Sequence, residues 1–306
     1  MLEKSIFAFP GWVKKAVSFT IDDGNIPLDK RFIETVKPGG ITGTFNLCGG
    51  GRLWGLTREE YREFYRGFEV TNHVSRHPKV ILPTDDYVIS DEPIDFDKSD
   101  REKIYKTDIE GLYYKAFSTW WGHVATTDAY IKLIEEGKRE LEEIFGEGSI
   151  VGFVWPYRRQ DDARLQQYLR EAGYASVRRT GYGGFELPRD RMDWCYNANH
   201  SNLNDRAAAF DALPDDGELK WFCFGVHSHD FENNNCWDVL ETFVANYGNR
   251  QNDFWYATVR DIFEYEDAVN AAEITEATIV NNSDKTLYAK LDDKKITIPA
   301  KSTYAI

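Results

Sequence analysis

The sequence is short of cysteine, of basic residues and of long apolar runs. Its 306 residues include four cysteines with no CxxC pair, which argues against a disulfide-stapled fold or a cysteine-rich metal site. With 37 Lys and Arg against 51 Asp and Glu, the formal net charge is -14, so nucleic acid and anionic membrane surfaces are poor candidate partners. The longest apolar stretches, such as 150–155, are far shorter than the roughly 18 residues of a membrane-spanning helix, which predicts no membrane span.

The N-terminal segment also lacks the features of a secretory signal. It contains neither an apolar h-region nor a small-residue cleavage site. Free thiols in a reducing compartment are the simplest interpretation of the scattered cysteines. The sequence as given therefore predicts a cytoplasmic protein, and an extracellular location stays open if a leader was removed.

Strand and helix patterns alternate along most of the chain. Stretches such as 15–21 and 149–155 have the composition of buried strands, and 126–146 has apolar residues at helical spacing. Alternation over about 260 residues is the size expected of an α/β barrel, in which catalytic residues lie at the C-terminal ends of parallel strands. After this region, short β-forming segments separated by turns predict a small antiparallel appendage. We therefore divide the chain into a barrel, 1–270, and an appendage, 271–306.

Polar side chains suited to catalysis or metal binding follow several predicted strands. Asp22 and Asp23 end the first strand, and Gly24 lets the chain turn, although this tripeptide is also an ordinary turn sequence. His73 and His77 are spaced so that, on one helical turn, both imidazoles reach the same metal ion. Four of the six histidines lie in two tight pairs at predicted strand ends, which favours a chemical role for the pairs.

The second histidine pair is His227 and His229, at the end of an apolar strand. It is either a polar cap on that strand or a source of a proton donor or further metal ligand, because the pKa of histidine lies near neutrality. Elsewhere, a backbone fixed by Pro156 could aim the N–H of Tyr157 at a developing oxyanion. Large aromatic residues near such strand ends, here Trp155, are more often core residues than sugar platforms.

Taken in order, these motifs resemble those of the NodB-homology polysaccharide deacetylases of carbohydrate esterase family four. That family carries motifs of approximately T-F-D-D-G, H-S/T-x-x-H, R-x-P-Y, D-x-x-D-W and L-x-H. The corresponding segments here are 20–24 (TIDDG), 73–77 (HVSRH), 154–157 (VWPY), 190–194 (DRMDW) and 225–227 (GVH). The resemblance covers about residues 14–265 and implies a distorted (β/α)7 barrel.

The resemblance also implies a metal site and a catalytic base. Asp23, His73 and His77 would hold a divalent metal, usually zinc, in a site of the hydrolytic type. Asp22 would be the general base, and the backbone N–H of Tyr157 would share the oxyanion with the metal. No organic cofactor is required.

By the same resemblance, His227 would be the general acid, and Asp193 would hold its tautomer. Trp194 would wall the acetyl pocket, and Trp155 and His229 are also expected at the substrate. Because glycine stands where the family has the leucine of its last motif, His229 competes with His227 for the acid role.

The third motif departs from the family at one charged position. Val154 stands where the family has the arginine that pairs with the base, and Val74 replaces a serine or threonine of the second motif. Asp22 is therefore either less firmly held than in the family, or Arg158 or Arg159 reaches it.

A segment at about 82–125 has no counterpart in the family pattern and carries an excess of acidic residues over basic ones. Its aromatic residues include Tyr105, Tyr113, Tyr114, Phe117, Trp120 and Trp121. Since it follows the two histidines of the second motif, it forms either a wall of the substrate groove or a solvated loop anchored by aromatic residues. Its negative charge would disfavour anionic glycans.

The sequence thus predicts a metal-dependent hydrolase that removes N-acetyl groups from an amino sugar or its polymer. An O-acetyl carbohydrate esterase with the same site is the nearest alternative. A non-catalytic carbohydrate-binding relative is the other, although such a protein needs no base.

Overall fold

The structure is a computed structural model that describes residues 4–49, 53–97, 100–118, 120–157, 162–291 and 294–306. Arg158, Arg159 and the predicted turn at 292–293 lie outside the described residues. The helices are α1 (Ile26–Val36), α2 (Arg58–Phe64), α3 (Thr127–Phe145), α4 (Ala163–Glu171), α5 (Leu203–Asp211), α6 (Ser228–Asn233), α7 (Trp237–Tyr247) and α8 (Val259–Asn270). The strands are β1 (Phe7–Ala8), β2 (Lys15–Asp23), β3 (Thr44–Leu47), β4 (Glu69–Asn72), β5 (Lys79–Val80), β6 (Val88–Ser90), β7 (Lys103–Lys106), β8 (Leu112–Ala116), β9 (Trp121–Ala125), β10 (Gly152–Val154), β11 (Ser176–Arg178), β12 (Lys220–His227), β13 (Phe254–Tyr256), β14 (Glu273–Ile274), β15 (Thr278–Asn281), β16 (Leu287–Leu291), β17 (Lys294–Ile298) and β18 (Ser302–Ala305).

A parallel sheet of seven strands forms the centre of the molecule. Its order is β11-β10-β4-β3-β2-β12, and β13 pairs with the first residues of β2. The sheet curls into a half-barrel, which confirms the predicted α/β class and distorted barrel. The interior residues of β2 are all buried, as expected for a parallel strand covered on both faces.

Local sequence signals explain where several helices begin. Thr57 and Glu60 form a capping box at the start of α2, each side chain accepting a hydrogen bond from the other residue's backbone N–H. The side chain of Thr126 caps α3, which ends at Gly146. Helix α5 was not predicted, because its alanine-rich sequence carries little amphipathic signal.

The segment at 82–125 contains four strands, β6 to β9. Strands β5 to β9 form a five-stranded sheet in the order β5-β9-β8-β7-β6. The interpretation of this segment as a solvated loop is therefore wrong. The aromatic residues of the segment pair across neighbouring strands, as Tyr105 does with Tyr114. The alternation of apolar and polar residues along the sequence did not reveal these pairs.

The C-terminal strands pair antiparallel, as predicted, in two small sheets. Strand β14 begins close to the expected boundary at residue 271, and β16 also pairs with β1 at the other end of the chain. Phe7 and Ile298 share one buried cluster with Trp221 and Phe263 of the barrel region. The appendage is thus packed against the barrel through a common apolar core.

The largest buried cluster lies between the central sheet and the helices beside it. Phe19 of β2 packs edge to face on Phe32 of α1, with ring centroids 4.9 Å apart, and on Phe45 of β3. This cluster fixes the strands whose ends carry the polar side chains. Among the described residues, no helix combines the length and apolar character needed to cross a lipid bilayer.

Candidate active site

Three neighbouring strands bring polar side chains to the same level at their C-terminal ends. Asp22 of β2 is in register with Asn46 of β3 and with His227 of β12. These ends open into a cavity of about 490 Å³ that Asp22, Asp23 and His227 line. The sheet register therefore places two carboxylates and an imidazole around one space.

Asp22 is held by two hydrogen-bond donors. Its Oδ1 accepts from Nδ2 of Asn46 at 2.6 Å and from the guanidinium of Arg178. Burial would raise the pKa of Asp22, but the charge of Arg178, the nearby His73 and His227 and the hydrogen bond from Arg178 together bring the pKa below its usual value. Asp22 is consequently ionised at neutral pH, and both described donors bind the same oxygen. The other oxygen keeps its lone pairs for a proton.

Asp23, His73 and His77 place three ligand atoms in a nearly equilateral triangle. Oδ1 of Asp23 lies 3.4 Å from Nε2 of His73 and 3.5 Å from Nε2 of His77, and the two nitrogens are 3.2 Å apart. Ligand atoms at about 2.0–2.1 Å from a tetrahedral zinc ion lie about 3.3–3.4 Å from one another. The three side chains thus fit a divalent metal without rearrangement.

The histidines converge through a tight turn, and the prediction that they share a helical turn is wrong. Val74, Arg76 and His77 all have left-handed φ values of 63°, 63° and 47°, which no helix contains. His73 donates from Nδ1 to the carbonyl of Val154 at 2.9 Å, so its Nε2 carries a lone pair. Burial, followed by the neighbouring His73, lowers the pKa of His77 to about 4, which keeps the ring neutral and able to bind metal.

Asp23 supplies a further sign of a cation at this place. Its Oδ1 is buried and has no hydrogen-bond partner among the described residues. A buried anionic oxygen facing two imidazole nitrogens is costly unless a cation neutralises it. The backbone of Asp23 is left-handed, with φ 78°, and Gly24 after it has φ 74°, which together turn the carboxylate toward the histidines.

His227 has a carboxylate partner that the sequence analysis missed. Its Nδ1 lies 3.0 Å from Oδ2 of Asp230, and the same oxygen accepts the backbone N–H of His227. Burial would lower the pKa of His227, but Asp230, Asp23 and Asp22 raise it to about 9. The imidazole is therefore a cation with Nε2 3.9 Å from Oδ2 of Asp23. The spacing of a helix N-cap residue and an acid three positions later was the signal for Asp230.

His229 stacks on His227 without sharing its anchoring. The ring centroids are 4.6 Å apart at an interplanar angle of 19°. Nε2 of His229 is 4.0 Å from Asp230, beyond hydrogen-bond distance. Both histidines line the cavity, but the carboxylate fixes the orientation of His227 alone.

Comparisons with known proteins identify the family. A family model described as polysaccharide deacetylase matches residues 12–177, more than half of the 306-residue chain. The chain belongs to the polysaccharide deacetylase family. This confirms the resemblance drawn from the motifs. A comparison with curated proteins finds no match.

Several solved structures are similar to this chain. One is the Bc1960 peptidoglycan N-acetylglucosamine deacetylase, at 13% identity over 81% of this chain and 88% of that chain, with a TM-score of 0.44. Another is a family 4 acetyl xylan esterase from Clostridium thermocellum in complex with a cobalt ion, at 14% identity over 82% and 92%, with a TM-score of 0.46. A third is the peptidoglycan deacetylase PdaC from Bacillus subtilis, at 15% identity over 84% and 94%, with a TM-score of 0.43.

In this member of the polysaccharide deacetylase family, the arginine that faces Asp22 comes from another strand. Val154 occupies the position of the motif-three arginine, and Arg178 is its register partner on β11. Arg178 is buried, with 1% of its side chain exposed. Arg158 and Arg159 were the candidates for this role, and both lie outside the described residues. The available signal was an arginine inside an otherwise buried strand, where an unpaired charge is rare.

Asp193 is placed differently from the expectation for this family. Its Oδ1 accepts a hydrogen bond from Nε of Arg179 at 2.9 Å. Asp193 lines a separate, smaller cavity, whereas Nδ1 of His227 is bound by Asp230. The structure therefore does not bring Asp193 to the imidazole that it was expected to orient.

The two tryptophans expected at the substrate are core residues in this structure. Trp194 is 3% exposed and packs on Trp221, with ring centroids 4.9 Å apart. Trp155 is 2% exposed and packs edge to face on Phe153. Neither lines the cavity at the strand ends, because burial of a large ring in an apolar cluster is favoured over exposure.

Tyr157 lies at the cavity. Its ring lines the cavity and is 4.7 Å from the ring of His77, and its φ of 63° is left-handed. The role of its N–H at an oxyanion stays a prediction. A second cavity of about 460 Å³ shares Asp23, His77 and His229 with the first, so open space lies on both sides of these residues.

Proposed function

We propose that this protein removes N-acetyl groups from an amino sugar, free or in a polymer, with a divalent metal. The observation that carries the proposal is the convergence of three groups of residues on one cavity. These are the three candidate metal ligands Asp23, His73 and His77, the ionised carboxylate of Asp22, and the imidazolium of His227. A carbohydrate-binding protein without activity has no use for this combination.

Asp23, His73 and His77 would hold the metal, and zinc suits two imidazoles and one carboxylate. When bound, such an ion polarises an acyl oxygen and lowers the pKa of water. The hydrogen bond from His73 to the carbonyl of Val154 keeps Nε2 directed at the site.

Asp22 would act as the general base. It would take the proton of the water that attacks the acetyl carbon, while Arg178 and Asn46 hold its carboxylate in place. The backbone N–H of Tyr157 would donate a hydrogen bond to the carbonyl oxygen as negative charge develops there.

His227 would act as the general acid. It would give the proton on Nε2 to the sugar nitrogen as the C–N bond breaks, which releases acetate and the free amine. Asp230 would hold the ring and stabilise its charged form. An amine leaving group depends on this proton more than an alkoxide does, so the anchored imidazolium supports N-deacetylation over O-deacetylation.

The test is acetate release from N-acetylglucosamine oligomers and from acetylated xylan, by metal-free and zinc-loaded protein. We expect zinc-dependent release from the N-acetyl substrate. Asp22→Asn should lower kcat at least about 100-fold, the contribution of a general base, while metal content stays unchanged. Release from xylan alone would make the protein an O-acetyl esterase. Turnover by Asp22→Asn at the wild-type rate would contradict the proposed base.

A further inference from the structure

The β-sheet at 82–125 extends one aromatic side chain into the active-site cavity. Strands β8 and β9 form a hairpin whose turn is closed by a hydrogen bond from the N–H of Phe117 to the carbonyl of Trp120. Trp120 lines the same cavity as Asp22, Asp23 and His227. The hairpin tip is therefore part of the wall of the site.

The indole of Trp120 is held on several sides and remains exposed. It stacks on Phe117, with centroids 4.2 Å apart at 13°, and lies nearly parallel to Tyr157 at 5.9 Å and 20°. A Cβ on Gly122 would come within 2.2 Å of its Cζ3 atom, so this glycine leaves the space that the ring occupies. Even so, 43% of Trp120 is accessible to solvent.

The position of Trp120 distinguishes it from the two tryptophans that were expected at the substrate. Trp155 and Trp194 are buried in the core. The ring of Trp120 lies next to that of Tyr157, and the ring of Tyr157 contacts His77, one of the candidate metal ligands. The flat apolar face of the Trp120 indole is therefore separated from the place of the reacting acetyl group and borders the space beside that place. The axial C–H groups of a pyranose ring are the part of a sugar that such a surface fits.

We propose that Trp120 forms a subsite for a second sugar of the substrate, next to the residue that loses its acetyl group. This proposal rests on the proposed function and adds its substrate class: a neutral acetylated oligosaccharide or polymer, with the single amino sugar as a poor substrate. The subsite belongs to the β-sheet insertion of this chain, and the three candidate metal ligands take no part in it.

The experiment compares N-acetylglucosamine oligomers from the monomer to the hexamer. For the wild type, kcat/KM for acetate release should rise when a second sugar is added. Trp120→Ala should lower kcat/KM for the longer oligomers about tenfold more than it lowers kcat/KM for the monomer, a difference equivalent to about 1.4 kcal/mol. Gly122→Ala keeps the indole of Trp120 but forces it to move, and should reduce the rise in kcat/KM with oligomer length.

Phe96→Ala is the matched control. Phe96 is an exposed aromatic residue in the turn between β6 and β7, with 57% of its surface accessible, and it lines neither cavity. Its removal should leave the dependence on chain length as in the wild type. Trp120→Phe, which retains a flat ring, should restore part of the gain lost in the alanine variant.

A binding measurement separates this proposal from the proposed function. In the Asp22→Asn background, calorimetry should give a Kd for the hexamer that Trp120→Ala weakens about tenfold. If no acetate is released but Trp120 still sets this Kd, the proposed function fails and the subsite stands. If acetate is released and Trp120→Ala matches the wild type at every length, the subsite is refuted. Absence of any oligomer binding also refutes it.

Discussion

Replacing Arg178 by methionine removes the guanidinium that faces Asp22 and keeps a side chain of similar length. Asp22 is buried and would retain Asn46 at 2.6 Å as a neutral donor. An opposite charge at this range lowers a carboxyl pKa by about one to three units, so its loss should raise the pKa of Asp22 by that amount. At about 1.4 kcal/mol per unit, this corresponds to about 1.4–4 kcal/mol, comparable with the about 3–5 kcal/mol lost when a buried ion pair is broken.

The assay is the pH dependence of kcat/KM for acetate release. The acid limb should move upward by about one to three pH units in Arg178→Met, because the base stays protonated to higher pH. Metal content must be measured at each pH, since protonation of the histidine ligands would also abolish activity. Only pH values at which the metal stays bound enter the comparison.

Arg179→Met is the matched control, because Arg179 pairs with Asp193 and does not contact Asp22. This variant should keep the acid limb of the wild type. An unchanged limb in Arg178→Met, or an equal shift in both variants, would refute the assignment of Arg178 as the residue that positions and charges the base.

Three further predictions concern other groups. Asp230→Asn should lower kcat about 100-fold on an N-acetyl substrate, because His227 loses the carboxylate that keeps it charged. The basic limb of the pH profile of kcat should also move to lower pH. A pH profile like that of the wild type would contradict this pairing. Asp29 is fully buried, and burial raises its pKa to about 7. Between about pH 4 and 7 the native state therefore binds more protons than the unfolded chain. The native state consequently loses stability as the pH rises through that window. Asp29→Asn should therefore raise the free energy of unfolding above pH 7 by up to about 4 kcal/mol and have a small effect near pH 4, as measured by urea denaturation at both pH values; equal effects at both would contradict the buried charge. Because of the acidic residues at 82–125, a uronic-acid polymer should be the poorest substrate in a panel, and its ranking as the best would overturn this expectation.

The sequence by itself determined the barrel pattern and the residues at the strand ends. Hydrophobic alternation and capping residues are local properties, so β2, α2 and α3 could be located from them. Asp22 and Asp23 follow a buried strand directly, and the strand-end rule for parallel sheets then predicts that they face a common space. The spacing of His73 and His77 indicated a shared ligand site, although not the left-handed turn that forms it.

Only the tertiary structure decided which charges accompany these groups. Asp22 and Arg178 are 156 residues apart, on β2 and β11, and only the folded sheet brings their side chains together. Likewise, Trp120 instead of Trp155 or Trp194 reaches the cavity. Asp230, which anchors His227 in place of Asp193, is by contrast a local partner three residues along the chain. Strand register and the packing of an inserted sheet depend on contacts between distant segments, and no local pattern of residues encodes them.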